Sequence, residues 1–396
     1  MNTGIITKSF LLVLLFSFLT LHADDPQRSS VETNVVLLYQ GYTINSYNAT
    51  GFSNAIHSTL ADLPDANPAS LSDFTKPGIG LSMEYQTKID NALGYSSFKV
   101  GHKRIKQYIP QSVTIIYPIR FLQVGMGFYQ KYSDKMDFGK IAIMSLVNPD
   151  SAIGYYEPDY RRYIYSGNAI ISRNLSNFLG KDHHIYLGLQ LNVDFFRLND
   201  SILNTTISAS DQAFSWKIGI KYTYQNKLSL AAIFDKGNSF SGKYKYENEP
   251  IVVIDTSSFF QGIQIEHRFK LNTPSKFILG YEVKPLPWLW VHGSGNLVYW
   301  NQADSYYKNN FDYSFGFIFN GEEKLAYSFG VFNVDRKTRN SSPFVVVPDY
   351  SGYYLSAGIM ARFKSWTIQG TIMDSHISSS EIRKQTIGKL GLEYIF

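Results

Sequence analysis

The sequence predicts an all-β protein, a transmembrane antiparallel up-and-down β-barrel of about fourteen strands, sixteen being the other even count that fits, with an N-terminal plug of short helices in its lumen. Three observations lead there. Apolar and polar residues alternate with period two along many segments of roughly 10 to 14 residues, longer than soluble strands and matched to tilted strands that cross a bilayer. Tyr 29, Phe 28 and Trp 5 make the chain 16% aromatic, yet mean hydropathy is only −0.15, which excludes a bundle of apolar helices. The N-terminus alone carries a contiguous apolar run.

That run, Phe10 to Leu21, follows Lys8 and ends in Leu21-His22-Ala23. It falls short of the roughly 20 residues that a membrane helix needs, and reads as a signal peptide over 1–23 with cleavage after Ala23. Residues 24–77 do not alternate. Gly51-Phe52-Ser53-Asn54-Ala55-Ile56-His57-Ser58-Thr59-Leu60 reads as a short helix, and Asn67 before Pro68 as an N-cap with proline at the first helical position, opening one turn over 69–73. Ala55, Ile56, Leu60, Leu63, Leu71 and Phe74 need an apolar surface to pack on. The barrel lumen offers one, so 24–77 is expected to form a plug or hatch, with a frayed periplasmic tail as the alternative.

From 78 to 396 the chain reads as barrel. Ile185, Leu187, Leu189, Leu191, Val193 and Phe195 share one face, and Tyr186, Gly188, Gln190, Asn192 and Asp194 the other. The same division recurs over 213–224, 310–320 and 351–363, and persists to the end in Leu390, Leu392, Tyr394 and Phe396. Fifteen segments emerge: 78–88, 110–118, 120–132, 159–173, 183–198, 213–224, 226–236, 257–270, 275–284, 288–300, 310–320, 323–335, 351–363, 365–374 and 386–396. A single-chain bacterial barrel closes with an even number. The poorly alternating 288–300 is the segment to doubt, and 95–106 the one to suspect as missed. Turns are expected at Pro118-Ile119-Arg120, Gln225-Asn226, Asn320-Gly321-Glu322 and Lys364, and long connections at 133–158, 199–212, 237–256, 336–350 and 375–385.

A β-sandwich would also alternate, with its apolar face inward. Aromatics at strand ends (Tyr222, Tyr224, Trp300, Tyr306, Tyr307, Tyr353, Tyr354) and polar faces rich in Gly, Ser, Asn and Gln favour the membrane barrel. Charge parity agrees, because a Lys or Arg facing lipid at the midplane costs ~2–4 kcal/mol. Glu84, Lys131, Asp194, Lys217, Lys221, Glu266, Arg268, Glu282, Asp312 and Arg362 all avoid the apolar face, whereas His267 shares the parity of Ile263, Ile265 and Phe269.

The stretch Gly51-Phe52-Ser53-Asn54-Ala55, then Asp62 or Asp65 through Asn67-Pro68-Ala69-Ser70-Leu71, directly before Gly78-Ile79-Gly80-Leu81-Ser82, resembles the long-chain fatty-acid transporter (FadL-type) outer-membrane family. The pair Val113–Pro118 and Leu122–Phe128 is similar to that family's early hairpin. The resemblance covers 51–132 by motif and the remainder by architecture. It implies fourteen strands, a stoppered lumen, capture of a hydrophobic ligand outside, and release sideways into the membrane. Asn67, Pro68 and Ala69 would then hold the turn of the hatch.

The function expected is outer-membrane uptake of hydrophobic small molecules, long-chain fatty acids or similar, in a Gram-negative-type bacterium. An aqueous porin, general or substrate-specific, is the first alternative; a secretion-system shuttle or surface-protein-binding barrel is the second. Lys131, Lys217, Lys221 and Arg362 are the lumen residues that could meet a ligand headgroup; the favoured alternative is that they pair with Glu84, Asp194, Glu266 and Glu282 and stiffen the wall. Zero cysteine excludes thiol catalysis, disulfides and thiolate metal sites. No catalytic constellation accompanies His267, His292 or His376, so no enzyme, cofactor or metal is expected. A formal charge of +5 from 37 basic and 32 acidic residues is too mixed for nucleic acid. The expected partners are outer-membrane lipid, the ligand, and the barrel-assembly machinery through the C-terminal strand ending in Phe396, with the barrel a monomer.

Overall fold

The computed structural model describes residues 32–34, 52, 54–90, 103–137, 141–144, 152–156, 159–176, 182–202, 205–248, 266–303, 307–335, 352–376 and 385–396. The signal-peptide expectation for 1–23 lies outside them, as does most of 24–51.

Fourteen antiparallel strands follow one another around a closed sheet. They are β1 (Gly78–Asp90), β2 (Lys103–Ile119), β3 (Leu122–Asp137), β4 (Asp159–Asn174), β5 (His183–Ile202), β6 (Thr205–Tyr224) and β7 (Leu228–Asp235, resuming at Ser239–Asn248). The rest are β8 (Glu266–Asn272, resuming at Lys276–Leu286), β9 (Leu289–Val298), β10 (Asn310–Phe319), β11 (Leu325–Val334), β12 (Gly352–Phe363), β13 (Trp366–Asp374) and β14 (Gln385–Ile395). Closure comes from β14 pairing with β1, from Gln385 opposite Lys88 to Ile395 opposite Gly78. A closed sheet has no edge, which is the condition for surviving in hydrocarbon.

The odd count of fifteen is corrected by one merger. The described end of segment 257–270, from Glu266, and segment 275–284 are two parts of β8, interrupted at Thr273-Pro274-Ser275, where proline has no N–H to give the ladder. The register of β7 against β8 runs on across this interruption, from Leu228 opposite Val283 to Lys245 opposite Glu266. The doubted 288–300 is a true strand, β9, and the described end of 95–106 is simply the start of β2. Nor is 199–212 a long loop: β5 and β6 are each 20 residues long and turn between Ile202 and Thr205. The short turns hold Gln225, Asn226, Asn320 and Lys364 at φ of 48°, 52°, 54° and 52°, the left-handed region that asparagine tolerates best. These turns lie at one rim, with Gly78 and Ile395; the long connections leave from the other.

Side-chain parity is that of a membrane barrel. Leu191, Phe214, Met126, Leu279 and Ile372 are 57%, 81%, 67%, 53% and 55% exposed, whereas Glu84, Gln190, Asp194, Lys217 and Glu282 on the opposite parity are buried. The aromatic assignments need adjusting. Tyr224 and Tyr353 face outward, but Trp300 and Tyr307 pack edge-on in a buried cluster with Val298, and Tyr354 stacks on Phe332 inside. On β8 the parity of Phe269 and Leu271 also turns inward, both being buried, so the apolar parity there is not the lipid face.

Leu390 sits mid-strand in β14 and is 56% exposed. Leu390→Arg is expected to destabilise the barrel by about 2–4 kcal/mol in vesicle denaturant titrations, the cost of a lipid-facing guanidinium; an unchanged midpoint would place that face in water.

Candidate functional site

The described residues shortly before β1, Phe52 and 54–74, pack against inward-facing side chains of the wall. Phe52 and Ala55 to Leu71 are almost entirely buried, with two 3-10 turns, Leu63–Asp65 and Pro68–Asp73. A single turn closes where proline supplies the helical φ, and both turns begin this way. Asn67 organises the second: its Oδ1 accepts from Ala69 N–H at 3.0 Å, and its Nδ2 donates to the Ala55 carbonyl at 3.0 Å. Asn67, Pro68 and Ala69 thus form a capped turn tied back to the earlier part of the segment. The Gly51–Leu60 stretch, expected as a helix, is turns, bends and irregular chain where described, with Asn54 Oδ1 accepting from Ile56 and His57 N–H. Serine, asparagine and glycine so close together favour local side-chain-to-backbone bonds over a helix.

This segment is seated by three kinds of contact. Apolar side chains meet inward residues of the wall: Ile56 meets Ile233 and Ile278, and Leu60, Leu63 and Leu71 meet Ile116 and Ile170. Backbone carbonyls receive donors from several strands: Gln190 Nε2 to Pro64 at 2.8 Å, Lys217 Nζ to Asp65 at 3.1 Å, Ser172 Oγ to Ala69 at 3.3 Å, and Ser112 Oγ to Ala61. Ion pairs complete the seat, Lys389 with Asp62 at 2.5 Å and Lys221 with Asp73. Missing side chains matter as much. A Cβ on Gly188 would lie 2.2 Å from the Pro68 carbonyl carbon, and one on Gly219 1.9 Å from Asn67 Oδ1, so only glycine lets the capped turn approach the wall.

His57 bridges to the wall, its Nε2 2.8 Å from Glu282 and its Nδ1 3.6 Å from Asp73. Burial alone would push this imidazole down; the carboxylates of Glu282 and Asp73 outweigh it and raise it to about 9. Asp73 is the converse case. Burial would raise it, but Lys221 and His57 hold it at about 2.

A second feature is a break in the wall. β2 and β3 pair only from Ser112 opposite Tyr129 to Ile119 opposite Leu122. Toward the long-loop rim the ladder stops, and no further β2–β3 pair forms among the described residues. Two bulges flank the stop. Gln111 has no partner on β1, since Ser82 faces Ser112 and Met83 faces Pro110; Lys131 has none on β4, since Gln130 faces Tyr165 and Tyr132 faces Ile164. Pro110 has no N–H to offer. Extra residues bend their strands apart at the same height, and the two edges separate.

Beside this break the inner wall turns apolar. On β5 the inward residues Gln190, Asn192 and Asp194 give way to Phe196 and Leu198, which cluster with Tyr132, Ile164, Phe240 and Phe269, all buried. The rings stack obliquely, Phe196 lying 5.6 Å from Phe240 and 5.8 Å from Phe269.

The four candidate ligand contacts are not brought together. Lys131 lies at the bulge, 3.2 Å from Asp194; Lys217 and Lys221 hold the inner segment; Arg362 stands at the short-turn rim, donating to the Glu323 carbonyl at 2.7 Å. The pairing of lysine with wall carboxylate therefore describes Lys131. Sequence reasoning missed His57, Ser112, Ser172, Lys389 and the apolar belt. The polar-to-apolar switch at Phe196 on the lumen parity, and a proline within a strand, are the signals that mark belt and break.

Gly219→Val is expected to unseat the Asn67 turn while leaving the wall strands paired, raising conductance in planar bilayers well above that of the unsubstituted barrel; an unchanged conductance would show that this contact does not hold the segment. The pH dependence follows from the two shifts. The raised His57 contributes fully below its ordinary value of 6.5 and is lost as pH rises through about 9; the lowered Asp73 contributes above 3.8 and is lost as pH falls through about 2. Protease access to the inner segment should rise between pH 7 and 10, and His57→Gln should flatten that profile.

No protein-family model and no curated protein matches the chain. Solved structures do. A Pseudomonas aeruginosa FadL homologue aligns over 90% of this chain and 97% of its own, at 11% identity and a TM-score of 0.62. The TodX monoaromatic hydrocarbon channel, as a deltaS2S3 mutant, aligns over 90% and 99% at 12% identity and 0.65, and the Ralstonia pickettii toluene transporter TbuX over 90% and 99% at 10% and 0.58. The chain has the fold of a FadL-type outer-membrane barrel, as its Asn67-Pro68-Ala69 motif implies.

Proposed function

We propose that this barrel takes up hydrophobic small molecules from outside the cell and releases them sideways into the outer membrane. The observation that carries this reading is the break between β2 and β3. Unpaired strand edges within hydrocarbon are expensive, because no water satisfies their backbone groups. The wall parts where Gln111 and Lys131 bulge, beside the apolar belt, and is built to open there; the ladder also lapses between β6 and β7, from Trp216 to Ala209, and between β10 and β11 beyond Ser314. The apolar belt at Tyr132 and Phe196 adjoins the break, so a greasy molecule entering from the long-loop rim passes the Arg162–Asp200 pair and then meets apolar side chains. Beneath lies the inner segment with its many bonds to the wall, which blocks a straight aqueous path. An apolar ligand gains nothing from water-filled passage, and a lateral exit keeps it out of water. Solved barrels of like fold that carry monoaromatic hydrocarbons and toluene support a hydrophobic cargo.

The chain has no cysteine, so a unique pair can be introduced. Gln111→Cys with Gln130→Cys places thiols where an unbroken ladder would set the two opposite each other. Bridging them with a short bis-maleimide is expected to cut uptake of a hydrophobic substrate into whole cells at least tenfold while leaving ligand binding in detergent intact. Full uptake by the bridged barrel would place the exit elsewhere, and a large steady conductance of the unsubstituted barrel would favour a porin.

A further inference from the structure

The charges that border the apolar belt say what kind of molecule it accepts. Below the belt, Lys131 Nζ is 3.2 Å from Asp194 Oδ2, which also accepts from Ser215 Oγ at 3.2 Å and from Asn238 Nδ2. Above it, on the strands that carry Ile164 and Leu198, Arg162 Nε lies 3.0 and 3.3 Å from the two carboxylate oxygens of Asp200, and its Nη2 2.5 Å from one of them. Lys276, on the β8 side, stands directly opposite Asp235 in the pairing of β7 with β8. All six side chains are buried. Lys131 and Arg162, the cations that border the belt below and above, are thus each paired with a carboxylate from a neighbouring strand, while Asp235 lies in register between Lys276 and Lys217.

Such matching acts as a filter. A ligand carboxylate entering the belt would leave water for an apolar surrounding and find Lys131 and Arg162 already partnered. To bind, it would have to displace Asp194 or Asp200, leaving that aspartate buried and uncompensated, which costs more than the new pair returns. A neutral molecule meets no such penalty: it contacts only rings and branched chains, and both ion pairs stay intact. Aromatic faces at the belt also favour flat or flexible hydrocarbon.

We propose that the belt selects uncharged hydrophobic molecules (hydrocarbons, alcohols or neutral aromatics) and rejects their carboxylate counterparts, with the Lys131–Asp194 and Arg162–Asp200 pairs as the elements that set this rule. This rests on the uptake reading and names its substrate class.

The test compares ligands that share a skeleton and differ in charge. Purified full-length barrel in bilayer nanodiscs at pH 8 is titrated with decanol against decanoate, and with toluene against benzoate. The neutral member of each couple is expected to bind at least tenfold more tightly. Asp194→Asn and Asp200→Asn, which release Lys131 and Arg162 from their carboxylates, are expected to strengthen decanoate binding about tenfold. Equal binding of decanol and decanoate by the unsubstituted barrel overturns the charge rule while leaving uptake standing. Binding of neither overturns both. The unsubstituted comparison suffices should a variant fail to fold, which heat-dependent gel mobility would reveal.

Discussion

A strand in hydrocarbon has no water on which to discharge its N–H and C=O groups, so each must find another strand. Closure of β14 onto β1 meets that demand for the barrel as a whole. From it follows the parity rule that organises the chain. Where backbone groups are committed to the ladder, side chains have only two destinations, and alternation decides which residues meet lipid and which meet the interior. Phe214 outside and Lys217 inside, three residues apart on β6, differ in exposure from 81% to 0% for this reason alone.

The interior is filled by a segment with little regular structure of its own, and the wall makes up for that. At the end of its first 3-10 turn, the carbonyls of Pro64, Asp65 and Ala66 take no part in long helices; Gln190 and Lys217 satisfy them instead. Lumen-parity glutamine, serine and lysine therefore serve as capping groups for a chain that threads past them. Glycine at 188 and 219 supplies the converse, room for backbone where a side chain would collide. Gln190, Lys217, Ser112 and Ser172 on the lumen parity are bonded to the backbone of the inner segment.

Most of the wall is legible in the sequence because period two is a local property. A residue's face depends only on its neighbours, so 183–198 and 351–363 can be read without knowing what surrounds them. Strand count is harder, because it depends on whether a gap in alternation is a turn or a bulge. Thr273-Pro274-Ser275 resembles a turn locally, and only the shared register of β7 and β8 across it shows one strand. The Asn67-Pro68 cap is legible for the same local reason. The site is less so. Lys131 reads as a lumen lysine, but its place in a bulge depends on the register of β4, and its partner Asp194 lies 63 positions away in sequence. His57 carries no motif; its role comes from Glu282, 225 positions distant.

Seat and break meet at one residue. Ser112 is the last residue of β2 that still pairs with β3, and its hydroxyl donates to the Ala61 carbonyl of the inner segment. The same hydroxyl lies 2.6 Å from Ser82 Oγ, which in turn reaches the bulged Gln111 at 3.3 Å. Across the break, Pro64 of the inner segment backs onto Gly127 of β3 so closely that a Cβ there would stand 2.8 Å from its ring. One short piece of chain thus braces both strands immediately below the point where they part. The ladder can end there without unravelling, because the inner segment replaces the missing cross-strand support from within. A barrel that carried the Gln111 and Lys131 bulges but lacked this brace would have nothing to keep the separation from spreading toward the short-turn rim. Inner segment and ladder break are, in mechanical terms, a single construction.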